Sequence, residues 1–201
     1  MESSDSPAPN SQPDPAEVIR RDCLKRAVEA FGTASVFEWR SHRLTWHLQL
    51  ITFAGLVVPV VVGLLALSYG AGFKALPLII IVGSALGTAQ VVFSLWSLVA
   101  RWVEAQSYAV ESMISNRRLF GQYVKTARDL TLDLGELKLR YESLVAEDAS
   151  RREQDTKWNL KAKERRKGLR AGLRELGIPC TACKETPIGM TATKCDLCGN
   201  F

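Results

Sequence analysis

Four of the five cysteines in this 201-residue chain stand in its last 22 residues, as Cys180-x2-Cys183-x11-Cys195-x2-Cys198. Each C-x-x-C turn delivers two sulfurs to one point, and an eleven-residue loop lets the second turn face the first. The spacing therefore predicts a tetrahedral four-thiolate metal site. Zinc is the ion expected, with an iron–sulfur cluster or a redox disulfide pair as alternatives. Four protein ligands leave no position for a substrate water, so the expected role is structural rather than catalytic. Gly199, directly after the last ligand, is expected to ease a tight turn. Few apolar side chains surround the cysteines (Ile178, Ile188, Met190, Leu197 and Phe201), so metal binding should supply the folding energy of this segment. Cys23 stands apart and reads as a small buried hydrophobe.

No other constellation suggests catalysis. There is no Ser/His/Asp arrangement, phosphate loop or carboxylate pair, and the protein is not expected to be an enzyme. His42 and His47 are five residues apart rather than four and suit a membrane interface better than a metal.

The elements around the cysteines divide sharply by charge. From Leu48 to Ala100, 53 residues carry one charge, Lys74, although the whole chain has 26 Lys and Arg against 21 Asp and Glu. Leu48–Leu67 is 20 uncharged residues, about 30 Å as a helix, and matches the hydrocarbon thickness of a bilayer. Leu76–Ala100 is 25 uncharged residues and spans with some tilt. The short link Ser68–Ala75 makes the pair a hairpin, so both termini share one side. Arg40, Arg43, Arg101, Arg117 and Arg118 flank it, which places both termini in the cytoplasm by the positive-inside rule. Trp46, Trp96 and Trp102 then fall near the cytoplasmic headgroups, and Tyr69 and Phe73 near the opposite interface. A reducing compartment for the cysteines disfavours disulfides.

On the second span Gly83, Gly87, Gln90, Ser94 and Ser97 recur at steps of 4, 3, 4 and 3, on one stripe. Gly55, Pro59 and Gly63 make a small-residue stripe on the first span. Two readings stay open: packing inside the hairpin, or an oligomer whose second helices surround a polar path.

The remaining elements are expected to be helical. Residues 1–15, with four prolines, are expected to be disordered. Asp14-Pro15-Ala16-Glu17 signals a helix start, and that helix is expected to run to Phe31, where Gly32 interrupts it. After the second span the helix is expected to continue as a heptad helix over about 104–148, with a seam of Tyr123, Ala127, Leu130, Leu134, Leu137, Tyr141 and Leu144. The seam packs on the N-terminal helix or on copies of itself. A basic helix over 151–176 follows, with Arg151, Arg152, Lys157, Lys161, Lys163, Arg165, Arg166, Lys167, Arg170 and Arg174, until Gly177-Ile178-Pro179 stops it. This basic surface reads as a solvated face or as a contact for anionic lipid or nucleic acid.

The order of parts, with EWRSHRLTWHLQL before the hairpin and SNRRLFGQYV after it, resembles the SLATT group of bacterial two-transmembrane effector domains over about residues 16–150. The spacing of the tail, residues 178–201, resembles the mobilome CxxCx(11)CxxC family. The resemblance implies a role in bacterial conflict systems, as an inner-membrane effector that oligomerises and permeabilises the bilayer on a signal from a partner. The expected fold class is an all-α membrane protein: a two-span transmembrane hairpin, long cytoplasmic helices and a small zinc-ribbon-like module. The other functional reading is a membrane-anchored adaptor whose zinc module recruits a protein or nucleic acid.

Overall fold

The computed structural model describes residues 14–69 and 76–201 and contains five helices, with no strand among the described residues. The expectations for residues 1–13, for the link Gly70–Ala75, and for the side chains of Tyr69 and Phe73 lie outside the described residues.

Helix α1 runs Pro15–Tyr69 without a break. Asp14 starts it as its sequence suggests, accepting from the Ala16 amide at 3.0 Å. Gly32 does not interrupt it. Glycine lowers helix propensity by only about 1 kcal/mol, which tertiary packing overrides. Helix α2 runs Leu76–Val99 and does not continue into α3, Trp102–Arg128. Arg101 sits in the left-handed region at φ 53°, and its amide donates back to the Leu98 carbonyl at 3.1 Å, which closes α2.

The expected heptad helix is also two helices. Asp129 Oδ1 accepts from the amide and hydroxyl of Thr131, and Asp133 caps α4, Leu134–Thr156, by accepting from the Glu136 amide at 2.8 Å. These side chains offer the backbone a turn that competes with the helix, and the turn wins. Leu130 is 81% exposed as a result, although the seam would have buried it. The basic stretch divides as well. Helix α4 ends at Thr156, a turn passes through Asn159 at φ 39°, and α5 runs Ala162–Leu176. Gly177 at φ 64° terminates α5, with its amide on Arg174 and the Ile178 amide on Leu173.

Two compact units emerge, Met1–Ser35 with Ile114–Phe201, and Val36–Met113. In the first, Cys23, Ala27 and Ala30 of α1 pack with Leu119, Tyr123 and Ala127 of α3 and Leu144 of α4. Above this core Asp148 is buried and accepts from Tyr123, Arg26 and Arg152. A carboxylate out of water needs such partners.

The second unit holds the two apolar helices. Both are long and apolar enough to cross a membrane, and none of either apolar window is buried in the protein. Within the pair, Gly83, Gly87, Gln90 and Ser94 are half-buried and Ser97 is buried, while the residues between them are exposed. A Cβ on Gly83 would meet Val62 at 3.1 Å, and one on Gly55 would overlap the Gln90 amide. Gly83 and Gln90 thus face α1, whereas Gly87 has open space where a Cβ would stand. Gly55 belongs to the same contact, but Pro59 and Gly63 point outward.

Candidate metal centre

Helix α5 positions the cysteine segment. Its left-handed stop at Gly177 turns the chain so that Ile178 and Cys180 fold back beneath Leu173. The two C-x-x-C turns then close alike. The Lys184 amide donates to the Cys180 carbonyl at 2.8 Å, and the Gly199 amide donates to the Cys195 carbonyl at 2.9 Å. Both bonds span four residues, so the turns are two copies of one knuckle. They are not flanked by paired strands, so the module is a knuckle pair rather than a ribbon.

The knuckles bring all four Sγ atoms within 4.8 Å of one another, with Cys183 and Cys198 at 3.9 Å. A tetrahedral ion bound at about 2.3 Å requires sulfurs about 3.8 Å apart, so the set fits a four-thiolate ion closely. Cys180 and Cys198 are buried, and Cys183 and Cys195 half-buried. None is in a disulfide. The thiols differ in environment. The Cys198 and Leu197 amides point at the Cys195 sulfur and lower its thiol to about 7. Burial, and then the neighbouring thiols, push Cys198 up. Holding both as thiolates needs positive charge between them, which a divalent ion supplies.

The module does not stand alone at the end of a helix. Cys180 and Cys198 form one apolar cluster with Val28 of α1 and Leu173 of α5, lined by Leu169, Leu176 and Ile178. Two glycines make this approach possible. A Cβ on Gly172 would strike the Val28 carbonyl, and one on Gly32 would lie 2.7 Å from the backbone of Gly168. Gly199 sits in the tight second knuckle, where a Cβ would collide with Thr193. The left-handed residue of the knuckles is Lys184, at φ 61°. Of the other apolar residues in the segment, Ile188 is 96% exposed.

The basic residues separate by environment. Arg151 is buried against Asp155, which also accepts from Asn116. Arg152 bridges Asp148 and Glu29. Arg170 is buried and donates to the Gly189 carbonyl at 2.7 Å, which pins the loop between the knuckles. All three are held by partners within the fold, although Arg152 itself stays exposed. Lys157, Lys161, Lys163, Arg165 and Arg174 are exposed, and Arg166 and Lys167 half-buried. His42 is exposed, and His47 lies against Trp102 with ring centres 5.8 Å apart.

Val28, Gly32, Gly168 and Gly172 are the supporting residues that cysteine spacing does not point to. Their signal is the G-x-x-x-G of α5, which stands inside a run conspicuous for its charge.

A family model described as Mobilome CxxCx(11)CxxC protein matches residues 20–201. The match begins on α1 and so covers both apolar helices and the bundle as well as the tail; it lends no support to the SLATT resemblance. No curated protein and no solved structure matches the chain.

Proposed function

The chain belongs to the mobilome CxxCx(11)CxxC family, and we propose that it is a membrane-anchored adaptor whose cytoplasmic part is stapled by one zinc ion. Cys180, Cys183, Cys195 and Cys198 would hold the zinc, as a closed structural site that docks α5 on α1. The hairpin would sit in a bacterial inner membrane with both termini in the cytoplasm, by its flanking arginines. The cytoplasmic bundle would then present a surface to a protein partner or a sensor.

One observation carries the adaptor form. In the stripe of α2, Gly83 and Gln90 meet α1 and Ser97 is buried, and the exposed large side chains of the two helices are apolar. Such a hairpin suits lipid on its outside and offers no polar path there. The second reading is the effector of an anti-phage system, which oligomerises and permeabilises the membrane. Gly63 favours it, being exposed with open space where a Cβ would stand, so that another copy's helix has room to approach.

Inducible expression of the full chain, with membrane fractionation and a membrane-potential dye, tests both. The adaptor reading expects a detergent-extractable membrane protein that leaves the potential intact with and without infection. Depolarisation would replace it by the effector reading, and a carbonate-soluble protein would sink both.

A further inference from the structure

The basic run yields an interaction surface once the structural arginines are removed from it. Lys157, Lys161, Lys163 and Arg165 are all exposed, and among the described residues no carboxylate pairs with any of them. Within residues 157–167 the only acid is Glu164, and it accepts from the Lys161 amide at 2.9 Å, as a helix cap. Lys161, Lys163 and Arg165 sit in or beside the first turn of α5. Cations there oppose the helix dipole and repel one another. Folding gains nothing from this placement. The fold pairs Arg151 and Arg152 with carboxylates and bonds Arg170 to a backbone carbonyl, and leaves these four facing solvent.

We propose that Lys157, Lys161, Lys163 and Arg165 form a docking surface for the anionic headgroups of a phospholipid leaflet. This rests on the membrane part of the reading above. Two observations favour lipid over nucleic acid. Residues 157–176 hold one aromatic, Trp158, and it is half-buried, so no exposed ring is available to stack on a base. Three of the four cations are lysines, point charges on flexible stems, which fits a diffuse layer of charge better than the forked recognition that arginine gives a phosphate backbone. A chain already anchored in a bilayer also meets its headgroups at high effective concentration.

The test uses the full chain in nanodiscs, read by amide hydrogen exchange of residues 157–167. Recovery of the protein in discs of phosphatidylcholine tests the membrane reading by itself. Adding phosphatidylglycerol should then slow exchange of this segment by about fivefold or more, an effect that salt reverses. The quadruple variant Lys157→Gln, Lys161→Gln, Lys163→Gln, Arg165→Gln should lose the lipid difference while keeping its metal content and the exchange pattern of α3 and α4. Equal exchange in the two lipids overturns the proposal. Protection by an oligonucleotide in phosphatidylcholine discs, without a phosphatidylglycerol effect, overturns it in favour of nucleic acid.

Discussion

Gly32 of α1 and Gly168 of α5 meet backbone to backbone, so close that a Cβ on Gly32 would stand 2.7 Å from the Gly168 carbonyl carbon and oxygen. One turn further along α5, Gly172 meets the Val28 carbonyl in the same way. The two contacts set α5 directly on α1, and the cysteines follow α5 into place. What looks like a helix breaker in α1 is the seat of α5, the helix that leads into the cysteine module.

Gly32→Ala should therefore destabilise the protein, although alanine is the better helix former. Propensity gains about 1 kcal/mol, while forcing a methyl into a backbone contact costs about 1–3 kcal/mol. Gly121, a helical glycine with open space around it, supplies the control: Gly121→Ala should be neutral or stabilising. Thermal unfolding of the two variants gives opposite signs. A stabilised Gly32→Ala would mean that α5 does not pack on α1.

The hairpin makes a distance prediction. The ideal Cβ of Gly83 lies 4.0 Å from Val62 Cβ, inside the range that a disulfide accepts. The pair Val62→Cys and Gly83→Cys should cross-link within one chain upon mild oxidation in membranes, as linked peptides identified by mass spectrometry. A dimer band in place of the internal link would show that the stripe serves contacts between copies. Gly55→Leu should abolish the internal link, because its side chain takes the space of the Gln90 amide.

How much of this was readable in advance depended on range. The cysteine spacing carries the knuckle pair, because each turn is closed by bonds within five residues. The apolar runs carry the two long helices, because hydropathy needs no tertiary information. The seam of Tyr123 to Leu144 carries core residues at both its ends, with Tyr123, Ala127, Leu137 and Leu144 buried, but fails at Leu130 and Leu134, which are exposed where the helix breaks. Periodicity registers which side chains are apolar; it does not register that Asp129 and Asp133 can both bond the backbone between them. Gly32 and the G-x-x-x-G of α5 were illegible for a different reason. A glycine that breaks a helix and one that admits another helix look the same until the partner is known. The charge of Arg151, Arg152 and Arg170 likewise says nothing about Asp155, Asp148 and the Gly189 carbonyl, which absorb it.

The edge of the bundle core carries a pH signature. The Tyr141 hydroxyl donates to the Asp22 carboxylate, and Arg26 Nε lies 3.0 Å from it. Tyr141 first, then Arg26 and Lys25, hold the carboxyl below its ordinary 3.8 against the opposing effect of burial. A depressed carboxyl stabilises the fold fully above its unfolded value, and the benefit is lost as pH falls through the lower folded value. Asp22→Asn should thus cost about 0.5–1 kcal/mol near neutrality, a modest figure because the side chain is part-exposed. The gap from the wild type should close below about pH 4. A gap that stays constant into acid would mean that the Asp22 charge is not what these partners hold.

The metal site predicts how the parts depend on each other. Purified protein should carry one metal ion per chain, and zinc by elemental analysis. Cys180→Ser with Cys183→Ser should lose it, whereas Cys23→Ser should keep it, since that thiol is buried in the bundle core and pushed up to about 11 by desolvation. The site shares its apolar cluster with Val28 and Leu173, so its loss should extend beyond the knuckles. Hydrogen exchange should rise through α5 and residues 178–201. It should stay low around Tyr123 and Leu144, whose cluster meets α5 at Leu176 but contains none of the four site cysteines. Structural zinc commonly contributes more than about 10 kcal/mol to a small segment, so exchange in α5 should rise by orders of magnitude rather than by a factor of two. If α5 remains protected after the metal is gone, the glycine contacts and the packing of Leu176 on the bundle core hold it, and zinc is an ornament on a finished fold.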